Sequence, residues 1–273
     1  VYAMPFQQRE QNGLVWFTAD VLNQIPHGFS TRIGGVSPAP WDSLNLRPNQ
    51  GDGPEALREN YRRFFAVLGL DEHRTVLSQQ THTANIRRVT AADAGKGVVR
   101  PRDYTDVDAL ITNEAALPLT VFSADCGTVL LYDPVRQAVG AVHAGWRGCA
   151  AGIVAKTVQA MAESYGSRPA DLLAALGPCI GRCCFETDGD VPEVMEAALG
   201  PEAAPYMERR EAKFHVDLAG LNRLWLLRSG LLPEHVETSG ICTACHPELF
   251  WSHRKMGDRR GVQAAVIALK EMP

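Results

Sequence analysis

The sequence predicts an α+β fold with mixed sheets, and three observations support this prediction. Helical and strand-like stretches are interspersed along the 273 residues without a regular strand–helix–strand alternation. The chain lacks the glycine-rich fingerprint of a nucleotide-phosphate loop. With 45% hydrophobic residues, it is long enough to bury a large core. We therefore expect a mixed-sheet fold rather than a Rossmann fold. We expect one domain over residues 1–273, because no repeat or low-complexity linker divides the chain.

The first third of the chain predicts one clear helix among short strands. Pro54 opens an amphipathic stretch and Gly69 closes it, as expected of an N-terminal proline and a C-terminal glycine. Its apolar residues at helical spacing indicate a buried face of ordinary core packing. The strand-like runs around it are Leu14–Phe17, Gly28–Thr31, Thr75–Leu77 and Ile86–Val89.

Two β-patterned runs in the centre of the chain predict a hairpin. Thr128–Tyr132 and Ala138–Val142 flank an Asp133–Pro134 turn signal. Cys126 lies just before the first run, and His143 lies at the end of the second run. Antiparallel pairing therefore places a thiol and an imidazole at the same end of the hairpin, where both can meet one ligand.

The second half of the chain predicts three helices and three strands. The helices are Cys149–Tyr165, Asp190–Leu199 and Asp217–Arg228. The strands are Leu172–Leu176, Val236–Ile241 and Val262–Leu269. A polar, charged stretch over Pro201–Lys213 is expected to be a surface excursion.

Composition excludes several classes of function. A net charge of −4 gives no electrostatic case for binding nucleic acid or an acidic membrane surface. No stretch approaches the ~18 apolar residues of a spanning helix, and no signal peptide opens the chain, so a cytoplasmic location is the default expectation. The seven cysteines are an odd number and are interpreted first as thiols, ligands or core residues rather than disulfides. The sequence does not predict the oligomeric state.

Six ordered blocks of the sequence carry a family resemblance. They are HGFSTRIGGVS at 27–37, SLNL at 43–46, SQQTH at 78–82, SADC with VHAGWRG at 123–148, GPCIG at 177–181 and CTACHPELFWSHR at 242–254. Together they resemble the YfiH-like family, also called the multicopper polyphenol oxidase (laccase-type) or purine nucleoside phosphorylase family, and related to peptidoglycan editing factor.

The resemblance implies both a fold and an activity. The fold is a layered α/β/β/α sandwich. The activity is that of a zinc enzyme that cleaves the N-glycosidic bond of adenosine, inosine, guanosine or methylthioadenosine with phosphate, and that deaminates adenosine. The expected partners are thus a purine nucleoside and phosphate.

The resemblance also completes a candidate metal site. In the family, the histidine of a Gln-x-His segment joins the cysteine and histidine of the core, which here gives His82, Cys126 and His143. Two nitrogens and one sulfur suit zinc in a catalytic site that keeps a fourth position open. Copper can use the same ligands, but three ligands, and eight histidines in all, fall short of a multicopper oxidase. Thr83 stands where the family usually has a small glycine.

Four polar residues are candidate phosphate or substrate contacts, and one acid is a candidate proton carrier. Arg32 lies beside paired glycines in a family block, and Asn45 is expected on the same rim. Arg147 lies just before the N-terminus of a predicted helix, and Arg254 lies in the C-terminal block. Asp125, next to Cys126, is either an acid/base group, a support for a ligand or a strand-end cap.

Other residues allow more than one interpretation. Asp106 and Asp108 precede an apolar strand and can face the pocket, but solvated turn acids are the commoner case. Trp146 is either a stacking surface for a ring or a hydrophobic plug. The segment Cys242–His246 has the pattern of a haem attachment or redox motif, which its family block disfavours. Its two cysteines can form a structural zinc site with Cys183 or Cys184, although adjacent cysteines are poorly placed to bind one ion.

Three further classes of function remain open. Without metal, Cys126 and His143 form an activated thiolate pair, which predicts a cysteine hydrolase such as a peptidoglycan-editing amidase. With copper, the same ligands predict a polyphenol oxidase. A zinc-stabilised binding module is the alternative that is not an enzyme.

Overall fold

A computed structural model describes residues 6–48 and 51–271. Within these ranges the α-helices are α1 (Pro54–Leu68), α2 (Trp146–Ala150), α3 (Ile153–Tyr165), α4 (Asp190–Leu199), α5 (Leu218–Arg228) and α6 (His253–Met256). The strands of the first half are β1 (Phe6–Gln11), β2 (Leu14–Ala19), β3 (His27–Ser30), β4 (Val76–Leu77), β5 (Ile86–Arg88), β6 (Ala109–Thr112), β7 (Leu119–Ser123) and β8 (Gly127–Asp133). The strands that follow are β9 (Ala138–Ala144), β10 (Leu173–Leu176), β11 (Glu186–Thr187), β12 (Met207–Arg210), β13 (Lys213–Val216), β14 (Val236–Thr238) and β15 (Gln263–Ile267).

Two six-stranded mixed sheets form the centre of the fold. The first sheet has the order β1-β2-β3-β15-β7-β4, and its single parallel pair is β4 with β7 among the described strands. The second sheet has the order β14-β10-β8-β9-β6-β5, with parallel pairs at both ends, β10 with β14 and β5 with β6. The predicted α+β fold with mixed sheets is confirmed.

Alternating side chains on the strands build a four-layer sandwich. One core lies between the sheets, where Val121 of the first sheet and Leu130 of the second sheet belong to the same buried cluster. The other face of the first sheet packs against α1 through residues such as Phe64. The other face of the second sheet packs against α3 and α5 through residues such as Met161 and Leu226. Because central strands such as β7 and β8 bury both of their faces, the layers follow the order α/β/β/α, as the resemblance implies.

The structure differs from the sequence prediction at the helix expected over Cys149–Tyr165. This segment forms two helices, α2 and α3, because Gly152 has a φ of 70° and interrupts the helix between them. Glycine adopts this left-handed conformation at little cost, whereas a residue with a Cβ does not.

The charged stretch over Pro201–Lys213 is more ordered than the sequence predicted. Strands β12 and β13 pair there as an antiparallel hairpin, and β11 completes a small third sheet. The side chains of β12 are mostly exposed, so they lack the hydrophobic alternation that reveals a strand. Among the described residues, no helix is both long and apolar enough to cross a membrane.

Candidate metal centre and its cavity

Three side chains from separate segments meet at one end of the central hairpin. His82 comes from the loop after β4, Cys126 from the turn between β7 and β8, and His143 from β9. One ligand atom of each lies within 4.8 Å of the others. Sγ of Cys126 is 3.7 Å from Nε2 of His82, and the two imidazole rings meet edge to face with centroids 5.0 Å apart. The structure thus brings together the three residues that the sequence nominated as a metal site.

The hairpin register explains why Cys126 and His143 are neighbours. Strands β8 and β9 pair antiparallel, with Thr128 opposite His143 and Gly127 opposite Ala144. Cys126 immediately precedes this last pair, so its thiol emerges beside the histidine. The predicted hairpin is therefore confirmed, together with its placement of the thiol and the imidazole.

Asp108 organises the site, and the sequence interpretation of this residue as a solvated turn acid was wrong. Its side chain is 0% exposed, and its carboxylate accepts a hydrogen bond of 2.8 Å from Nδ1 of His143. The same carboxylate accepts the backbone N–H groups of Thr81, His82 and Thr83, and the Thr83 hydroxyl at 2.8 Å. These bonds support His82 in a left-handed conformation, with a φ of 65°. Thr83 thus adds a bond that a glycine in its place would not supply.

The charges of Cys126, His143 and Asp108 depend on one another. Burial opposes the Cys126 thiolate, but His143 and His82 outweigh burial and lower the pKa of Cys126 to about 6. Burial also opposes the charged imidazole of His143, but Cys126 and Asp108 raise its pKa to about 9. Burial opposes the Asp108 carboxylate, which hydrogen bonds from His143 and the Thr83 N–H nevertheless stabilise, so that its pKa falls to about 2. Without metal, the site is therefore a thiolate beside an imidazolium near neutral pH.

Gly145 leaves room for the ligand side chains. A Cβ at this position would lie 2.9 Å from Sγ of Cys126 and 3.2 Å from Cδ2 of His82. Its φ of −64° suits any residue, so the close approach rather than the backbone conformation requires glycine here.

A cavity of about 420 Å³ adjoins the three side chains. His82, Asp125 and Cys126 form its polar floor. Its apolar walls come from Trp146, Ile180, Phe185 and Leu218. Its rim carries the imidazole of His253 and the guanidinium groups of Arg147, Arg254 and Arg260. An apolar cavity with a few convergent polar groups is the usual form of a small-molecule site.

The three arginines of the rim differ in the contacts that they make with other residues of the protein. Arg254 donates to the backbone carbonyls of Cys184 and Glu186, at 3.2 and 2.9 Å. The guanidinium of Arg147 stacks over the Trp146 ring at 4.2 Å. Nε of Arg260 is buried and has no hydrogen-bond partner among the described residues. Burial lowers the pKa of Arg260, and the charge of Asp125 opposes this effect.

Arg260 was missed by the sequence analysis. It belongs to the run Asp258–Gly261, which lies just after the C-terminal family block and looks like an ordinary charged turn. The sequence signal that could have found it is the position of two adjacent arginines directly before the last buried strand, β15.

Asp125, in the floor of the cavity, accepts three hydrogen bonds from the protein itself. Its carboxylate accepts the hydroxyls of Thr243 at 2.6 Å and Ser252 at 3.0 Å, and the backbone N–H of Arg254 at 2.7 Å. These bonds tie the C-terminal segment to the residue beside Cys126. The proton transfer that the sequence analysis assigned to Asp125 stays a prediction.

Arg32 and Asn45 lie elsewhere. The Arg32 guanidinium donates to the carbonyl of Pro247, pairs with Asp42 at 3.2 Å and stacks over Trp251 at 4.2 Å. Asn45 is fully buried, and Oδ1 of its side-chain amide accepts the N–H of Val262 at 3.0 Å. Neither residue lines the cavity, and their roles as phosphate or substrate contacts stay predictions.

Comparison with known proteins places these features in a family context. A family model described as multi-copper polyphenol oxidoreductase laccase matches residues 26–270. The purine nucleoside phosphorylase YlmD of Bacillus subtilis is 35% identical over 252 residues, which cover 91% of this chain and 90% of that protein. The crystal structure of YlmD from Geobacillus stearothermophilus superposes with a TM-score of 0.90 at 34% identity, covering 98% of this chain and 99% of that one. The hypothetical protein YfiH of Bacillus licheniformis gives a TM-score of 0.91 at 33% identity, covering 97% and 99%.

Proposed function

Since this chain belongs to the multi-copper polyphenol oxidoreductase laccase family, we propose that it is a zinc-dependent purine nucleoside phosphorylase that also deaminates adenosine. The proposed substrates are adenosine, inosine, guanosine and methylthioadenosine, with phosphate as the second substrate. The observation that carries the proposal is the convergence of a three-ligand metal site and the guanidinium groups of Arg147 and Arg260 on one cavity. The name of the Bacillus subtilis relative, which matches nine-tenths of the chain, supports it.

The donor set of His82, Cys126 and His143 fits a single zinc ion. Because Nδ1 of His143 is bonded to Asp108, Nε2 is the nitrogen left to bind a metal, and such carboxylate support is typical of zinc-bound histidines. Among the described residues, the other candidate groups are four cysteines and the surface trio of Asp71, Glu72 and His73, of which Glu72 is half-buried. Neither of these two groups lines the cavity. They therefore cannot add ligands beside His82, Cys126 and His143 for the several copper ions of an oxidase. Zinc at this site supplies a Lewis acid and lowers the pKa of water.

The chain's own residues orient the two substrates. In phosphorolysis, a phosphate oxygen bonds to C1′ of the ribose while the bond from C1′ to the purine nitrogen breaks. Arg147 and Arg260 hold the phosphate in this proposal, because their guanidinium groups lie on the cavity and are free to pair with it. Phe185, Ile180 and Trp146 supply apolar surface for the purine ring and exclude water from it. Asp125 acts as a positioning residue, since three donors already engage its carboxylate.

One observation favours a second candidate function. Sγ of Cys126 lies 3.7 Å from an imidazole nitrogen, and the thiol is partly exposed. A thiolate paired with histidine is the nucleophile of many amide hydrolases. The second candidate is therefore a peptidoglycan-editing amidase that works without metal.

A nucleoside panel separates the candidates. Zinc-loaded protein is incubated with each nucleoside, with and without phosphate, and the products are separated by chromatography. The proposal predicts hypoxanthine and ribose 1-phosphate from inosine only when phosphate is present, and inosine with ammonia from adenosine. Zinc-loaded protein that releases no base from any of the four nucleosides contradicts it.

Matched variants and substrates complete the experiment. His82→Ala should abolish turnover, whereas His73→Ala, which changes an exposed histidine remote from the cavity, should leave it unchanged. Hydrolysis of a muramyl peptide that persists after chelation and is lost in Cys126→Ser would favour the amidase. Oxygen consumption with phenols by copper-loaded protein would favour the oxidase.

A further inference from the structure

Two tight turns bring four cysteines together behind one wall of the cavity. The first turn, Gly181–Phe185, contains Cys183 and Cys184, and the N–H groups of Cys184 and Phe185 both donate to the carbonyl of Gly181 at 2.9 Å. The second turn runs from Cys242 to Cys245, whose N–H donates to the carbonyl of Cys242 at 3.2 Å. We call these four residues the four-cysteine cluster.

The sulfur atoms of the four-cysteine cluster have the spacing of ligands around one small cation. All four lie within 4.8 Å of one another. Sγ of Cys245 is 3.4 Å from Sγ of Cys183 and 3.5 Å from Sγ of Cys184. A tetrahedral zinc with Zn–S bonds of about 2.3 Å separates its sulfurs by about 3.8 Å. The interpretation that adjacent cysteines are poorly placed for one ion was therefore wrong, because the turn at Gly181 directs both thiols toward Cys245.

The surrounding backbone supports thiolate ligands. The N–H of Gly181 donates to Sγ of Cys242 at 3.2 Å, a bond that stabilises negative charge on sulfur. A Cβ on Gly181 would lie 3.2 Å from Cβ of Cys242, so Cys242 would have to shift slightly to admit any other residue there. Cys179 and Cys242 pair as a parallel bridge, which fixes one turn against the other. The two halves of the cluster are thus held in place by the backbone.

We propose that Cys183, Cys184, Cys242 and Cys245 bind one structural zinc ion as a tetrathiolate site. Four protein ligands close the coordination sphere, which is typical of structural rather than catalytic zinc. A tetrahedral set of four sulfurs selects zinc among common divalent ions. A disulfide would engage two of the thiols and leave the other two beside it without a partner. A cluster of several irons needs its cysteine sulfurs farther apart than these four.

The four-cysteine cluster is connected to the cavity through two hydrogen bonds and through two residues of the cavity lining. Thr243, between Cys242 and Cys245, donates its hydroxyl to Asp125. The carbonyl of Cys184 accepts a hydrogen bond from Arg254. Ile180, which precedes the first turn, and Phe185, which ends it, line the cavity. Zinc in this cluster therefore fixes the wall that faces Cys126 without touching the substrate.

Metal analysis tests the proposal independently of catalysis. Protein purified under reducing conditions should contain two zinc ions per chain by elemental mass spectrometry. Cys242→Ser/Cys245→Ser should contain one, and Cys179→Ala, which removes a buried cysteine outside the cluster, should contain two. Zinc X-ray absorption of His82→Ala/Cys126→Ala, which removes the other site, should show four sulfur ligands. Iron in place of zinc, or a His82→Ala/Cys126→Ala variant that contains no zinc, overturns the proposal.

Native alkylation of the wild-type protein supplies a test that needs no variant to fold. The exposed Cys183 and Cys245 should resist alkylation while zinc is bound and become labelled after chelation, as read by peptide mass spectrometry. Labelling of both in the zinc-loaded protein, or a disulfide between any two of the four, contradicts the proposal. Neither result bears on the phosphorylase proposal, because that rests on His82, Cys126 and His143.

Discussion

Nδ1 of His143 donates a hydrogen bond of 2.8 Å to Oδ1 of Asp108. The same carboxylate accepts the backbone N–H of His82 and of the residues on either side of it. One buried acid therefore positions both histidines, the first through its ring and the second through its loop. The geometry of the metal centre depends on this carboxylate as well as on the ligands themselves.

Replacing Asp108 with Asn should weaken metal binding. The amide has no negative charge and a single acceptor oxygen, so it cannot receive the bonds that the carboxylate receives. Loss of a support of this kind typically lowers metal affinity ~10- to 100-fold. The change should also lower the free energy of unfolding at neutral pH by roughly 2 kcal/mol, from the displacement of the Asp108 pKa to about 2. Zinc competition titrations and urea unfolding measure the two effects.

Asp93 provides a matched control for that variant. Its side chain is 9% exposed, and although burial opposes its charge, Lys96, the Thr90 N–H and Arg87 lower its pKa to about 2. Asp93→Asn should therefore cost a similar amount of stability while leaving zinc affinity unchanged. For both acids the folded pKa lies below the unfolded value, so the stabilisation is present above pH ~4 and is lost as the pH falls through about 2. If Asp108→Asn bound zinc as tightly as the wild-type protein, the role of Asp108 in positioning the ligands would be contradicted.

Alkylation of Cys126 should follow its lowered pKa. Because the thiolate is the reactive form, iodoacetamide labelling of the metal-free protein should rise as the pH increases through about 6. His143→Gln should move this midpoint upward, toward the ~8.5 of an ordinary cysteine, since it removes the charge beside the thiolate. Peptide-resolved mass spectrometry separates Cys126 from Cys149, whose pKa burial raises and which should stay unlabelled. If Cys126 of the wild-type protein were labelled with a midpoint near the pKa of an ordinary cysteine, the thiolate–imidazolium pair of Cys126 and His143 would not form.

Gly145→Ala should displace the metal ligands without straining the backbone. The new methyl group would lie 2.9 Å from Sγ of Cys126, so the thiol must move away from the histidines. We expect at least tenfold weaker zinc binding, measured by competition with a chelating dye. Gly53→Ala is the control, because its φ of −68° is equally permissive and a Cβ there has open space around it. Equal zinc affinity in the two variants would exclude steric crowding as the reason for this glycine.

Arg260→Ala should raise the KM for phosphate. A charge-assisted hydrogen bond of the kind proposed contributes about 1.5–3 kcal/mol, which corresponds to a roughly 10- to 100-fold change. The KM for the nucleoside should change much less, because the purine contacts the apolar wall. Arg62→Ala, which removes an exposed arginine paired with Glu59 on α1, should leave both constants unchanged. An unaltered phosphate KM in Arg260→Ala would remove this residue from the phosphate site.

The parts of this molecule that sequence predicts are those determined by local pattern. The hairpin around Asp133–Pro134 follows from two apolar runs and a turn, and it alone brings Cys126 beside His143. The role of Asp108 could not be predicted in this way. Its partners depend on β6 pairing with β9, which places the carbonyl of Asp108 against the N–H of His143. An acid before a buried strand looks the same in sequence whether it faces water or a histidine.

The four-cysteine cluster could not be predicted from local sequence pattern either. Its two halves lie about sixty residues apart along the chain. The backbone bridge between Cys179 and Cys242 holds them together, and no local sequence pattern predicts it. Arg260 is similar, since its burial depends on how the C-terminal segment packs against Asp125 and not on the residues around it.

Anomalous diffraction at the zinc edge from crystals of the zinc-loaded protein would locate the metal itself. We expect a peak within bonding distance of Nε2 of His143, the His82 imidazole and Sγ of Cys126, with an open side facing the cavity. A fully loaded and active protein without a peak at these three side chains would contradict it.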